Sequence, residues 1–401
     1  MEITGINAVT VEGNFEWPLI KIETDEGISG YGEVRDHSLG HVHKEAFYAD
    51  TAAALALDLE PVLLGKDPTN IIGRVEELRP YGGRGRLGGG VSAIEMALFD
   101  IAGKRHGVPA YQLLGGKYRD EIRVYVDCRA GQPVTDSAES YRLDANDYAP
   151  EDYAAHAKRR EAQGFDFLKF DLDPRVAKDV TGKAGIRGTQ LTAAGLEYLE
   201  DVVAAIRGSV SSDTDIGFDC AAMQRVSVAD AIKFGRILDE YNTAIYEDAV
   251  SDGDVTGWTE LSEAIDTPTI TGEDLFGVDG FRELIRNDAI DIVGPDLLTA
   301  GGIRETVRIS DFANQHGIPA NLHFAASPVG FMASIHAAAA IPDLMAVEFH
   351  AVGVPWWSDL VERPDTLFED GYATVPDAPG LGIEFDNGVV AEHALEGRSF
   401  E

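Results

Sequence analysis

Six apolar runs in the second half of this 401-residue chain each end in a carboxylate or a histidine: Asp219, Glu247, Glu273, Asp296, His323 and Glu348. The steps between them are 28, 26, 23, 27 and 25 residues, about the length of one strand, one helix and two short loops. A βα unit repeating at that interval presents one polar residue per repeat. In a closed barrel of parallel strands the strand C-termini open on one face, so such residues converge on a single mouth. Three carboxylates there match a hard divalent cation, and a histidine beside an aspartate matches a base.

The rest of the chain divides around this ladder. ITGINAVTV and LIKIETDEGISGYGEV read as antiparallel strands turning at Asp25, Glu26 and Gly27, and a helical pattern runs from about residue 44 to 106. An α+β domain over residues 1–115 therefore precedes the barrel. RVYVDC, FDFLKF, DIGFD, TAIYE, PTITGE, AIDIVGPD, IPANLHF and LMAVEFH supply eight strand candidates with helical stretches between them. This predicts an α/β fold of the (β/α)8 TIM barrel type over residues 116–358. The segment 359–401 reads as too irregular to extend the barrel and as returning to brace the first domain. Two long spacers, QPVTDSAESYRLDANDYAP and DPRVAKDVTGKAGIRGTQLT, emerge at or near the mouth as covering loops or as plain surface insertions.

Composition narrows the partners. A formal charge of −36, from 69 acidic and 33 basic residues, repels nucleic acid and anionic membrane surfaces. Spread along the whole chain, it fits a surface adapted to high salt, where screening removes self-repulsion. Cys128 and Cys220 read as buried free thiols on strands that are not neighbours. No basic segment followed by an apolar core opens the chain, so a cytoplasmic location is expected.

Among the motifs, Gly83, Gly85 and Gly88 satisfy the spacing G-x-G-x-x-G, but a helical run precedes them where a dinucleotide site needs a strand, so they read as a loop. Asp219, Glu247 and Glu273 carry more weight. Helix capping accounts for an aspartate at a strand end, whereas glutamate caps poorly and two of the three are glutamate. An oxygen-only set favours Mg²⁺ or Mn²⁺ over zinc. Asp248 is expected to point away from Glu247, in a supporting or structural role. Lys169 and Asp171 end the second strand on one face, where the lysine either neutralises a substrate carboxylate or, with its pKa lowered, removes a proton, or else the two form a surface ion pair. Asp296 is placed to accept the second ring N–H of His323 and raise its basicity. His37, His41 and His43 read as a solvated loop, and Trp356 and Trp357 as lining the mouth or sealing the barrel against the tail.

These residues together resemble the enolase superfamily in its mandelate racemase and muconate lactonizing branch. The likeness runs through GYGEV, SAIEMALFDIAGKRHGVPAYQLLGG, the GFD, YED and TGED strand ends and PDLLTAGGIRE. The resemblance implies a modified barrel under a capping domain built from both chain ends, and proton removal next to a carboxylate with Mg²⁺ stabilising the enediolate. It implies Asp219, Glu247 and Glu273 as metal ligands, His323 with Asp296 as base dyad, Glu348 as a hydrogen-bonding acid, and Lys169 on the substrate carboxylate. Capping loops near Phe15 to Trp17 and His37 to His43 fall where substrate is selected, giving Trp17 and His37 as binding candidates. Two departures narrow the chemistry. Asp171 replaces the second lysine of the family's K-x-K, and Ala221 stands where several relatives carry asparagine or a catalytic histidine. A single strong base favours elimination from a sugar acid such as xylonate, arabinonate or gluconate, with Asp171 as the competing acid or base. Epimerisation or cycloisomerisation through the same enediolate, and a catalytically silent metal-binding protein, are the alternatives. The expected partners are a small-molecule sugar acid and further copies of the chain.

Overall fold

The computed structural model describes residues 1–35, 57–81, 89–128, 148–363, 367–395 and 400. His37, His41 and His43, Gly83, Gly85 and Gly88, and most of the first spacer lie outside them. The chain opens with an antiparallel sheet of β1 (Ile3–Glu12), β2 (Glu16–Thr24) and β3 (Ser29–Glu33). The helix Gly89–His106 packs on it and is buried continuously from Gly89 to Gly103, as an all-round apolar pattern requires. Contact is backbone to backbone: a Cβ on Gly32 would stand 2.0 Å from the Ala93 carbonyl oxygen. Only glycine fits there.

The barrel follows. β4 (Glu121–Asp127) and β5 (Phe167–Asp171) precede a small hairpin, β6 (Ile186–Arg187) and β7 (Gln190–Leu191). Then come β8 (Asp215–Asp219), β9 (Ile245–Glu247), β10 (Thr269–Thr271), β11 (Ile292–Val293), β12 (Ala320–Leu322) and β13 (Leu344–Phe349). β4, β5 and β8 to β13 pair in parallel, and β13 returns to β4 to close the ring. Each step between consecutive barrel strands carries a helix, and several have side-chain caps: Thr192 accepts from Gly195 N and Ser227 from Asp230 N. Inside, Tyr125, Phe167, Ile245, Ile270, Ile292 and Ala346 form the packed floor beneath the mouth.

After β13 the tail replaces an eighth outer helix. Contrary to expectation, part of it does extend the barrel sheet: β15 (Tyr372–Thr374) pairs antiparallel with the first half of β4, an edge that β13 leaves open by pairing only with residues 124–126. The rest braces the first domain as expected. β14 (Val361–Glu362) pairs with β16 (Glu384–Phe385), Phe385 packs on Tyr31, and Glu384 takes Tyr31 and Lys104. Trp356 stacks on His393 and meets Trp17 edge-on, while Trp357 donates to the Ala326 carbonyl from inside the core. The two tryptophans seal the barrel. Both cysteines are buried free thiols, and among the described residues no helix is long and apolar enough to cross a membrane.

Candidate metal and proton-transfer site

The strand ends converge as their spacing predicts. Asp219 closes β8 and Glu247 closes β9, in register with one another and with Asp171 on β5. Glu273 follows β10 by two residues. One oxygen from each of Asp219, Glu247 and Glu273 lies within 4.8 Å of the others. An all-carboxylate donor set at that separation fits a hard, oxygen-preferring divalent cation. Burial pushes Asp219 and Glu247 each up to about 8, with Lys169 pulling the other way. A bound cation reverses that pressure, because it favours the ionised carboxylates directly.

Lys169 is 2% exposed and sits among these acids. Its ammonium lies 2.9 Å from Glu348, 3.0 Å from Glu247 and 3.6 Å from Asp219. Burial works to discharge it, but Glu247 and Glu348 outweigh burial and hold the lysine charged, well above its usual range. It is a buried cation facing the cavity, the surface-pair alternative being excluded by its position.

His323 follows β12 and is gripped from both sides. Nδ1 lies 2.8 Å from Asp296 Oδ2, and Nε2 lies 2.8 Å from Glu273 and 3.6 Å from Glu348. A β-bridge between Asp296 and His323 fixes the dyad on the backbone. Burial disfavours the imidazolium, yet Glu273 and Glu348 prevail and raise the ring well above its ordinary value. Glu348 is fully buried, and its Oε2 accepts from the Tyr125 hydroxyl at 3.0 Å and from Phe324 N at 3.2 Å.

Lys169, Asp171, Asp219, Glu273, His323 and Glu348 line one cavity of about 410 Å³. Asp173 and Arg175 from the second spacer line it too, so that insertion contributes to the wall. Asp248 departs from expectation. Its φ of 52° breaks the strand alternation, so it lines the cavity, accepting from Thr271 Oγ1 at 2.6 Å. Trp17 is 1% exposed and packs behind the wall, whereas Phe15 lines the cavity in its place. Phe15 lies just before β2 and Trp17 within it, and of the two only Phe15, nearer the turn, lines the cavity.

Two contributions escaped the ladder. Arg35, two residues past β3, is buried against Glu273 (3.1 Å), Asp296 (3.4 Å) and Asp274 (3.6 Å), and donates to the Glu273 carbonyl at 2.6 Å. Those acids keep it charged despite burial. A lone arginine after GYGEV carries no periodic signal. The other is His350 with Asp127, which pair across the closing strands and line the cavity. The signal was legible: EFH places His350 two residues past Glu348, on the same face.

Comparison with known proteins identifies the family. Residues 6–115 match the model of the mandelate racemase / muconate lactonizing enzyme N-terminal domain, and residues 152–389 match the enolase C-terminal domain-like family. The chain is 34% identical to the D-xylonate dehydratase of Haloferax volcanii, over 99% of this chain and 90% of that protein. It is 27% identical to the D-galactonate dehydratase of Ralstonia pickettii, over 95% and 91%. Among solved structures, a mandelate racemase/muconate lactonizing enzyme-like protein from Rubrobacter xylanophilus superposes with a TM-score of 0.87 at 28% identity, covering 99% of this chain and 98% of that one.

Proposed function

Because the chain belongs to the mandelate racemase and muconate lactonizing enzyme branch of the enolase superfamily, we propose that it is a hydro-lyase that dehydrates a sugar acid to its 2-keto-3-deoxy product. The observation that carries this is the Asp296–His323 dyad, with its Nε2 turned to Glu273 of the three-carboxylate cluster, in a cavity that Lys169 also lines. Relatives named D-xylonate, D-galactonate, D-gluconate and arabinonate dehydratase support the reaction class. Xylonate, arabinonate and gluconate are the first candidates for the substrate.

Asp219, Glu247 and Glu273 would hold Mg²⁺, with Mn²⁺ the alternative. A divalent cation there supplies positive charge for the substrate carboxylate as a second negative charge develops on it. Lys169 neutralises the same carboxylate, and Glu348 hydrogen-bonds it from the far side. His323 takes the Cα proton, and the electron pair delocalises onto the carboxylate. The pair then returns to form the Cα–Cβ double bond as the β C–O bond breaks. The proton held by His323 leaves with the hydroxide as water, and the enol tautomerises to the keto acid. Asp296 keeps the ring oriented throughout. Asp171, level with Asp219 in the cavity, is the second candidate for a proton-transfer group.

Incubating a panel of aldonates with Mg²⁺ in D₂O tests the reading: keto-acid formation supports dehydration, while Cα exchange without product signals epimerisation. His323→Asn is expected to lower dehydration by roughly a hundredfold to ten-thousandfold. Retained turnover in that variant would move the base to Asp171. The acidic surface supports assay in concentrated KCl, where activity is expected to exceed that in dilute buffer. A cytoplasmic, homo-oligomeric enzyme completes the proposal.

A further inference from the structure

Two aspartate–histidine pairs face this cavity, and the elimination employs one. The second lies where the barrel closes. β13 pairs with β4 so that Glu348 stands opposite Tyr125 and Phe349 opposite Val126. The next step in register sets His350 opposite Asp127, and on the other flank Asp127 stands opposite Lys169. Since residues two apart on a strand share a face, the seam carries two stacked polar pairs. Tyr125 donates to Glu348 on the lower level, and His350 Nε2 meets Asp127 Oδ2 on the upper one. Asp127 and His350 are 5% and 8% exposed and both line the cavity.

The wiring of the two dyads is opposite. In the first, the aspartate grips Nδ1 and leaves Nε2 turned towards the reacting groups. In the second, the aspartate takes Nε2, and Nδ1 lies 3.2 Å from the side-chain nitrogen of Asn14 in the β1–β2 turn. That same nitrogen is 3.1 Å from the His350 carbonyl oxygen, which only accepts, so the amide orientation is fixed with nitrogen inward. Nδ1 therefore accepts, and the ring proton lies on Nε2 against the carboxylate. With Nε2 against Asp127 and Nδ1 against Asn14, the imidazole faces the seam and the capping turn, whereas His323 Nε2 faces Glu273. The His350 ring is well placed to hold a carboxylate. An ionised carboxylate offers about four acceptor positions, more than one ring N–H occupies. Phe15, with its ring 5.2 Å from the imidazole, covers the pair from the capping side.

We propose that Asp127, oriented by His350 and through it by Asn14, recognises a hydroxyl of the substrate chain outside the reacting Cα–Cβ pair. This rests on the sugar-acid reading above. The neighbouring wall is rich in acceptors, with Asp171 and Asp173, and the one arginine that lines it among the described residues, Arg175, is bonded through Nε to both oxygens of Asp173. Such a wall takes neutral hydroxyl donors and repels a second carboxylate, so monoacids are preferred over the matching diacids.

The test compares the Mg²⁺-loaded protein on its best aldonate, on analogues of that acid deoxygenated at one carbon at a time, and on the matching aldarate. Wild-type protein is expected to disfavour one deoxy analogue by about 10-fold to 100-fold in KM, the range for a hydrogen bond to a charged group. Asp127→Asn should raise KM for the full aldonate and erase that preference. His350→Phe should erase it too, and His350→Gln, whose amide still donates, should restore it. Unchanged discrimination in Asp127→Asn, or none in the wild type, overturns the assignment. Discrimination is read a second time as ligand-induced thermal stabilisation. That readout decides on Asp127 even where no keto acid forms and the dehydratase reading itself fails.

Discussion

Buried acids occur in two regions of this protein, at the barrel mouth and along the joint between capping sheet and barrel, and their acidities look alike. Burial lifts Asp219 and Glu247 to about 8, and it lifts Glu95 to about 8 and Glu33 to about 7. Their partners differ. Glu95 accepts from the backbone N–H groups of Ile303 (2.7 Å) and Arg304 (2.9 Å), capping a barrel helix whose own N-cap is glycine. Glu33 accepts from Ser327 N, Ser327 Oγ and Gly330 N at 2.7–3.0 Å, at the start of the helix Pro328–Ala340. Orphan helix donors and the helix dipole are already there for these acids. At the mouth Asp219 and Glu247 face one another and the Lys169 ammonium. A raised acidity therefore marks burial in both regions, and only the source of the donors separates a joint from a site.

The sharpest way to break this distinction is to neutralise one acid of each kind. Asp219→Asn or Glu247→Gln should lower keto-acid formation roughly a thousandfold or more, while thermal denaturation without metal shows equal or greater stability, since mutual repulsion is relieved. Glu95→Ala should do the reverse. Two buried N–H groups lose their acceptor, which costs about 3 kcal/mol in urea denaturation, with turnover below the transition largely retained. Loss of activity in Glu95→Ala without loss of stability would erase the contrast.

Metal should read out the mouth alone. Mg²⁺ at a hundred times its dissociation constant is expected to stabilise the protein by about 2.7 kcal/mol. Wild type and Glu95→Ala should show this gain in thermal denaturation, and Asp219→Asn should lose it. Chelation should abolish turnover and leave the far-ultraviolet spectrum unchanged. The smallest effect concerns pH. Glu33 has its folded value raised from 4.5 to about 7, so the folded state keeps a proton that the unfolded chain releases between those values. Stability contributed by the protonated group is present below about pH 4.5 and is lost as pH rises through about 7. The advantage of wild type over Glu33→Gln should thus shrink by about 1 to 3 kcal/mol from pH 4.5 to 7.5. An advantage that grows with pH would show that the helix donors outweigh burial.

Much of this was legible because a parallel barrel converts sequence spacing into convergence. The ladder and Lys169 meet as their spacing requires, and Asp296 bonds the His323 ring nitrogen that tautomer control predicts. What escaped has physical reasons. Arg35 acts across a domain boundary, where no period links it to its partners. Asp248 was misread because alternation assumes extended backbone, and its positive φ ends that regime. β15 was read as irregular because three residues carry no pattern, and it pairs only because β13 leaves an edge uncovered. Trp17 was the binding candidate and Phe15 reaches the cavity, since which of two neighbouring aromatics does so depends on how the hairpin docks.

Arg35 has a consequence for engineering. Its guanidinium belongs to the capping segment but lies against Glu273 and Asp296 in the barrel. Transplanting a cap from a relative would therefore also exchange the charge that lies against Glu273 and Asp296. Chimeras cut between the two domains should be judged by whether the donor cap brings an equivalent cation, before any loop is compared.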